Sequence, residues 1–209
     1  MAYRPTERTR ARAAAARERI VTAALEQLAE GGYASASMVA VARRAGVATG
    51  SVYRHFPSKG DLFAEAFRRA AQREVEVLVE LGHRTMPVPE RLAAWVAAFV
   101  HRALAEPVRA YALIAEPIDP AVEAERLAFR CAYADLFARA LRDAMAAGEL
   151  PEADPELAAA AIVGALAEAL VGPLARPASP RADAAELTAG LQAFVLSAVG
   201  ADSHAAQPV

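Results

Sequence analysis

Residues 37–59 of the chain read SMVAVARRAGVATGSVYRHFPSK, and this stretch decides the fold. It contains two short helical patterns separated by a turn at Gly46. Ser35 and Ser37 are candidate N-caps for the first helix, and Thr49 is one for the second. The apolar residues that can pack the two helices at a steep angle are Val41, Ala42, Val47 and Val52. The arrangement is typical of a helix-turn-helix, whose second helix enters a major groove of DNA.

The exposed face of the second helix has the composition of a DNA-reading surface. Most of its side chains carry hydrogen-bonding groups, and Gly50 removes bulk where the backbone must come close to a base. Ser37 at a helix N-terminus, the Tyr53 hydroxyl and Lys59, the single lysine of the chain, are candidate phosphate contacts. The predicted DNA-binding residues are Ser37, Thr49, Gly50, Ser51, Tyr53, Arg54, His55 and Lys59.

Two aromatic residues and one histidine in this stretch have alternative interpretations. Phe56 is expected to be an apolar anchor beneath the second helix. Tyr53 is either a core residue or a phosphate contact. His55 has no second His, Cys or carboxylate at metal-ligand spacing nearby, so no metal site is predicted.

Helical patterns continue on both sides of this stretch. Residues 1–14 are rich in Arg and Ala and predict a mobile basic arm, and a helix is expected from Arg17 until Gly31-Gly32 stops it. Ser58 is expected to cap a fourth helix, which leads to a joint at residues 82–89. Beyond the joint, Asp119 and Asp154 are candidate N-caps, and Pro-rich residues 173–180 predict a break before a last helix. The whole pattern indicates an all-α chain of about nine helices.

Composition excludes several classes of protein. The chain has 209 residues, of which 56% are hydrophobic and 23% charged, so general disorder and collagen are excluded. A single cysteine, Cys131, excludes an intrachain disulfide and a Cys-based zinc finger, and it is expected to be buried. No signal peptide is visible. The apolar stretch 157–175 contains Glu168 and Pro173 and predicts a buried helix rather than a membrane span. A cytoplasmic protein without a membrane partner is expected.

The charge is distributed unevenly. Residues 1–60 contain ten Lys and Arg against four Asp and Glu, whereas residues 61–209 contain thirteen against twenty-one. A basic quarter on an acidic body predicts that the basic quarter meets a polyanion. A basic tail on any acidic protein gives the same totals, so the choice depends on the motif above.

Residues 15–65 resemble the DNA-binding domain of the TetR family of transcriptional regulators. The residues that carry the resemblance are Gly31-Gly32-Tyr33, Ala45-Gly46-Val47, Gly50-Ser51-Val52-Tyr53-Arg54-His55-Phe56 and Ser58-Lys59. Gly60 departs from the pattern where an acidic residue is usual, and Ala48 where serine is common. The resemblance implies a homodimer with three DNA-binding helices, a connecting fourth helix and a C-terminal ligand and dimer domain. The expected units are an arm at 1–14, a DNA-binding domain at 15–60, a ligand-binding and dimerisation domain at 61–200 and a frayed tail at 201–209.

The C-terminal region carries two further sets of candidate residues. Aromatic side chains on inward helix faces predict a pocket for a largely apolar molecule, lined by Trp95, Phe99, Tyr111, Arg130, Tyr133 and Phe137. Arginines on this face either bind an acidic or aromatic ligand, or they snorkel to solvent or pair with a carboxylate such as Glu116. The last two helices are rich in small residues and leucine. The residues expected in a dimer interface there are Leu170, Leu187, Leu191, Phe194 and Val195, although Leu191 and Phe194 are also candidates for intrachain core.

The interpretation reached from these residues is a ligand-responsive repressor. It would bind a near-palindromic double-stranded operator as a homodimer and leave it when a small-molecule effector binds. An activator and a constitutive DNA binder remain alternatives. No catalytic triad, Gly-rich phosphate loop or metal cluster is found, so an enzyme is not expected and no cofactor is predicted.

Overall fold

The computed structural model describes residues 6–175 and 184–201, which form nine α-helices and no strand. The helices are α1 (Glu7–Ser35), α2 (Met38–Ala45), α3 (Thr49–His55), α4 (Lys59–Gly82), α5 (Val88–Ala105), α6 (Pro107–Ile114), α7 (Pro120–Ala146), α8 (Pro155–Ala175) and α9 (Ala184–Ala198). The all-helical class and the helix number predicted from the sequence are confirmed for these residues.

The helix-turn-helix is formed by α2 and α3. The Ser37 hydroxyl accepts a hydrogen bond from the Ala40 amide, and Gly46 takes the left-handed conformation (φ 65°) that ends α2. The predicted cap of α3 was wrong by one residue. Ala48 holds the N-cap position without a side-chain hydrogen bond, and Thr49 is the first helical residue.

The first helix begins earlier than the sequence pattern indicates. Thr6 caps it by accepting a hydrogen bond from the Thr9 amide, and residues 7–14 form its exposed first turns. The arm predicted for residues 1–14 is therefore corrected for residues 7–14, where Ala and Arg have high helix propensity. Residues 1–5 lie outside the described ranges. The predicted stop at Gly31-Gly32 corresponds to a break at Gly32 (φ 70°, ψ −174°).

The protein has two hydrophobic cores that share helices. The first, the head core, joins α1, α2, α3 and the first half of α4. The second, the body core, joins the end of α4 with α5, α7, α8 and α9. A capping box between Ser58 and Asp61 begins α4, whose Phe63 lies in the head core and whose Leu78 lies in the body core. The fourth helix therefore belongs to both units.

The sixth helix also contributes to both cores. Its Ala112 and Leu113 lie in the head core, together with Val122 at the start of α7, whereas its Ala110 and Ile114 lie in the body core. A movement of α6 therefore affects the packing of both units.

The C-terminal helices differ from the prediction in length. The break expected from Pro173 starts later, because α8 continues through Pro173 to Ala175. Residues 176–183 and 202–209, which include most of the predicted break and tail, lie outside the described ranges; Ala201 is buried. The eighth helix is long and apolar enough to cross a membrane, but its Ile162 and Leu170 are buried in the body core. Cys131 is exposed, so its predicted burial was wrong.

Candidate nucleic-acid interface and cavity

The predicted DNA-reading face lies on the open side of α3. Ser37, Gly50 and Arg54 are exposed, and Tyr53 has 50% of its surface exposed. Thr49, Ser51 and His55 are half-buried. On the opposite side of α3, Val52 is fully buried and anchors the helix in the head core. The exposed side of α3 therefore carries polar groups, whereas its buried side is held in the head core by an apolar side chain.

Arg54 and Phe56 both contact other side chains of the protein. The Arg54 guanidinium donates to the Ser51 hydroxyl at 3.0 Å, one turn earlier on the same helix. Phe56 is buried, as expected for an anchor, and the Arg17 guanidinium lies 5.0 Å from its ring centroid.

Lys59 is the DNA-contact candidate whose surroundings differ most from the expectation. Its ammonium donates to the Tyr33 carbonyl at 2.8 Å and lies 4.1 Å from the centroid of the Tyr33 ring. Partial burial lowers the pKa of Lys59. The side chain ties α4 to the end of α1, and a phosphate contact requires its remaining donors or a release from Tyr33.

Val39 is an exposed residue of α2 that the sequence analysis missed. It lies on α2 two residues after Ser37, and 66% of its surface is exposed. An exposed β-branched side chain beside a DNA-reading helix is suited to contact a thymine methyl or a sugar. The signal was present in the sequence, because Val39 is not part of the i, i+3, i+4 set that starts at Met38 and is buried.

Ion pairs hold the helices of the head together. Arg69 on α4 donates to Glu18 on α1 at 2.5 and 2.9 Å, and it also pairs with Glu65. The hydrogen bond to Glu18 raises the pKa of Arg69. Arg44 on α2 pairs with Glu30 on α1 at 2.7 Å. These arginines are engaged with carboxylates of the head, so they orient α2 and α4 on α1.

Two small apolar cavities lie among α5, α6 and α7, the first of them completed by Glu74 of α4 and the second by α8. The open volumes are about 30 Å³ and about 20 Å³. Both cavities are lined by Phe99, Leu113, Ile114 and Phe129. Each volume holds one or two waters, far below the several hundred Å³ of a drug-sized pocket. An effector that binds in these two cavities therefore requires them to open.

The predicted pocket residues are only partly brought together. Phe99 and Tyr133 line the cavities, with ring centroids 5.7 Å apart. Burial raises the pKa of Tyr133. Leu113, Ile114 and Phe129 were missed, since Leu113 and Ile114 lie on a short helix whose pattern resembles ordinary core.

Three of the predicted pocket residues do not line the cavities. Trp95 and Phe137 pack against each other in the body core, with centroids 5.0 Å apart, and the Trp95 indole N–H donates to the Leu78 carbonyl. Tyr111 is half-buried against the same core. These rings are core because their neighbours already fill the space around them.

Two of the arginines of α7, Arg126 and Arg130, bind backbone carbonyls at the end of α6. Arg126 is buried and donates to the carbonyls of Ala112 and Glu116, at 3.1 and 2.6 Å. Arg130 is exposed at the rim of the second cavity and donates to the Ile114 carbonyl at 3.3 Å. Arg130 thus lines the rim of the cavity while its side chain is exposed, and both arginines complement the negative end of the α6 dipole.

The predicted dimer residues divide into two groups. Leu170, Leu191 and Val195 are buried inside a single protomer and belong to the body core, so their assignment to an open interface was wrong. Leu187 is half-buried against that core. Phe194 is 53% exposed, and Leu157 on α8 is a further exposed residue that was missed. Helical periodicity identifies the apolar face of a helix but does not distinguish burial within one protomer from burial against a second copy.

The outer face of α8 and α9 consists mainly of small and apolar residues. Its exposed members include Leu157, Ala160, Ala161, Gly164, Gly190, Ala193 and Phe194. Small side chains allow helices to approach closely, and such a face on two adjacent helices fits a four-helix bundle with a second copy.

Two family models match the chain. Residues 20–66 match the model described as "Bacterial regulatory proteins, tetR family", and residues 85–170 match "Tetracyclin repressor-like, C-terminal domain". The two ranges together take in more than half of the chain and correspond to the head and the body.

One curated relative and two solved structures add to this match. The transcriptional repressor KstR of Rhodococcus jostii is 47% identical over 57 residues, which are 27% of this chain and 27% of KstR. The match thus spans about a quarter of that relative. FadR of Bacillus subtilis, in complex with stearoyl-CoA, has a TM-score of 0.72 at 21% identity over 88% of this chain and 98% of FadR. SmeT in its complex with triclosan has a TM-score of 0.68 at 23% identity over 88% and 91%. These two structures show that the fold is shared.

Proposed function

The chain belongs to the TetR family of bacterial transcriptional regulators, and we propose that a small molecule releases it, as a repressor, from a near-palindromic operator. It is a DNA-binding regulator and not an enzyme. Its place of action is the cytoplasm, where the DNA is.

The observation that carries the ligand half of this proposal is the position of Leu113. This side chain lies in the head core and also lines both cavities of the body. Phe129 likewise packs against both cores and lines both cavities. A molecule that opens the cavities displaces residues on which the DNA-reading head is packed, which supplies the two sites and two states that allostery requires.

The DNA half rests on α3 and on the outer face of α8 and α9. A dimer formed through that face carries two recognition helices related by a two-fold axis. Such a dimer reads two half-sites about one helical turn, roughly 34 Å, apart, and the operator repeats the symmetry of the protein. Tyr53 and Ser37 hold phosphates, while Thr49 and Arg54 reach base edges.

The effector expected from the cavity lining is a largely apolar molecule. Phe99, Ile114 and Phe129 supply the apolar walls, and Arg130 at the rim favours an acidic or polar tip. The structural neighbours were solved with stearoyl-CoA and with triclosan, two ligands with large apolar parts, and these form a reasonable starting panel. An effector that prefers the DNA-incompetent state by about 2–3 kcal/mol weakens operator binding roughly 30- to 150-fold.

Selection of bound DNA from a random pool tests the first half of the proposal. A near-palindromic motif is expected, and recovery of DNA without a common motif contradicts sequence-specific regulation. A thermal-shift screen of apolar acids, acyl thioesters and phenols, followed by release assays on the selected operator, tests the second half. Stabilising compounds should lower operator affinity.

The closed state of the cavities also favours a second candidate function, a constitutive regulator. Open volumes of about 30 and 20 Å³ leave no room for an effector in these two cavities as they stand. If no compound changes both the melting temperature and the operator affinity, the constitutive alternative is favoured. The position of the operator relative to the promoter then decides between repressor and activator.

A further inference from the structure

The carboxylate of Glu116, just after α6, binds the end of α1. One carboxylate oxygen accepts from the Tyr33 amide at 2.8 Å and the other accepts from the Ala34 amide at 2.9 Å. Only 9% of Glu116 is exposed. Two successive backbone N–H groups that converge on one carboxylate form an anion-binding nest, and both hydrogen bonds are charge-assisted.

Gly32 makes this contact possible. Its backbone (φ 70°, ψ −174°) lies in a region that only glycine occupies readily. A Cβ at this position would lie 2.8 and 3.0 Å from the two carboxylate oxygens of Glu116. Glycine therefore allows the backbone to turn and leaves room for the carboxylate.

Further hydrogen bonds hold both sides of this contact, Glu116 on the body and the end of α1 on the head. On the body side, the buried Arg126 donates to the backbone carbonyl of Glu116 at 2.6 Å and to the carboxylate of Glu123 at 2.8 Å. On the head side, Lys59 donates to the carbonyl of Tyr33. The connection from α7 through Glu116 to α1 and α4 is therefore continuous.

The end of α1 is in turn connected to the recognition unit. The Gln27 side chain is buried and accepts a hydrogen bond from the Ser37 amide at 3.1 Å, at the N-cap of α2. A change in the position of α1 relative to the body therefore moves α2 and α3 with it. Glu116 follows Ile114, a wall residue of both cavities, by two positions.

We propose that Glu116 is a positioning residue that sets the orientation of the DNA-reading head relative to the body. The proposal rests on the proposed function, because orientation matters only if two heads bind one operator. In the intact dimer the carboxylate holds each α1 at one angle to α6, so the distance between the two recognition helices is fixed. Without the carboxylate, the described residues still connect each head to the body through α4, including its Arg68–Glu125 ion pair, and through apolar packing, but the distance is less restricted.

The variant Glu116→Ala, with Glu123→Ala as matched control, tests the contact itself. Both glutamates belong to the Arg126 surroundings, and Glu116 is the one whose carboxylate accepts hydrogen bonds from α1 in the described structure. Hydrogen exchange resolved at single amides should be faster by about tenfold at Tyr33 and Ala34 in Glu116→Ala, as expected for the loss of one charge-assisted hydrogen bond each. It should be unchanged in Glu123→Ala. Equal protection of the two amides in Glu116→Ala overturns the proposal.

Operators with altered spacing test the positioning role. Wild-type protein should lose affinity sharply when one base pair is inserted between the selected half-sites. In Glu116→Ala the ratio of affinities for the two spacings should shrink at least threefold, whereas Glu123→Ala should keep the wild-type ratio. A loss of affinity on both operators with an unchanged ratio indicates a purely structural role and overturns the proposal. A wild-type protein with no spacing preference contradicts the proposed function, and the amide measurement then still decides whether Glu116 holds the head.

Discussion

Gly60 at the start of α4 lies directly against the Asp119 side chain at the start of α7. A Cβ on Gly60 would lie 2.6 Å from one carboxylate oxygen of Asp119 and 2.8 Å from its carboxyl carbon. Asp119 caps α7 by accepting a hydrogen bond from the Ala121 amide. The contact with Asp119 of the body therefore explains why glycine stands at position 60, where the resemblance leads one to expect an acidic residue.

Gly60→Ala is expected to destabilise the protein, although alanine favours helices. The new methyl group must displace Asp119, which costs either overpacking or the cap of α7. We expect a loss of about 1–3 kcal/mol in the free energy of unfolding, or about 2–12 °C in Tm for a chain of this length. Thermal unfolding followed by circular dichroism measures it.

Gly50→Ala is the matched control for this substitution. Both glycines lie in the first turn of a helix, but a Cβ on Gly50 meets no atom within 4 Å in the described structure. Its melting temperature should stay the same or rise slightly. If both variants melt at the wild-type temperature, the close contact between Gly60 and Asp119 has no energetic consequence.

The DNA-reading face predicts different results for different residues. Tyr53→Ala should weaken binding to operator and to unrelated DNA alike, because a phosphate contact carries no sequence information. Arg54→Ala should cost about 1–3 kcal/mol on the operator and relax the preference for one base pair. Mobility-shift titrations at fixed salt measure both effects.

Arg142→Ala is the control for the loss of positive charge. Arg142 is an exposed arginine of α7 that pairs with Glu156 in the body, away from the head. It should leave DNA binding unchanged. Unchanged operator affinity in Tyr53→Ala and Arg54→Ala together would remove α3 as the recognition helix.

The dimer prediction now centres on Phe194. Phe194→Arg places a charge on the outer face of α8 and α9, where a second copy would bury it, and this should cost several kcal/mol of association. Leu191→Arg is unsuitable as a test, because Leu191 is buried in its own protomer and the variant should fail to fold. Sedimentation at micromolar concentration should show a monomer for Phe194→Arg.

Leu127→Arg is the matched control for the dimer prediction. Leu127 is also a large exposed apolar residue, with 54% of its surface exposed, but it lies on α7. Its variant should remain a dimer. A wild-type monomer, or dissociation of both variants, would contradict an interface formed by α8 and α9.

Local signals in the sequence were enough to predict most of the helix starts. Ser37, Ser58 and Asp119 each cap the helix predicted to follow them. These caps were predictable because each one joins residues only two or three positions apart. The cap of α3 was assigned to Thr49 because Ala48, the actual N-cap residue, has no polar side chain that would indicate this position. The basic arm was misplaced because a solvated Arg/Ala helix shows no apolar periodicity.

Contacts between distant parts of the chain could not be predicted in the same way. Glu116 and the amides of Tyr33 and Ala34 are more than 80 positions apart. From the sequence alone, a carboxylate after a short helix is expected to be an ordinary exposed charge. Nor does periodicity measure how tightly an apolar face is packed, which is why Trp95 and Phe137 were assigned to a pocket that their own neighbours fill.

The second cavity predicts opposite effects for two substitutions that lengthen a buried valine. Val163 lines the cavity of about 20 Å³, whereas Val96 is fully buried and lines neither of the two cavities. Val163→Ile adds one methylene that the cavity can hold, so stability should stay equal or rise by up to about 0.8 kcal/mol. Val96→Ile must overpack a filled core and should lose about 1–3 kcal/mol. Denaturant unfolding compares the two free energies. If Val163→Ile also abolishes the thermal shift caused by a compound from the apolar panel, that compound binds in this cavity. An equal destabilisation of both variants would show that no usable space exists beside Val163.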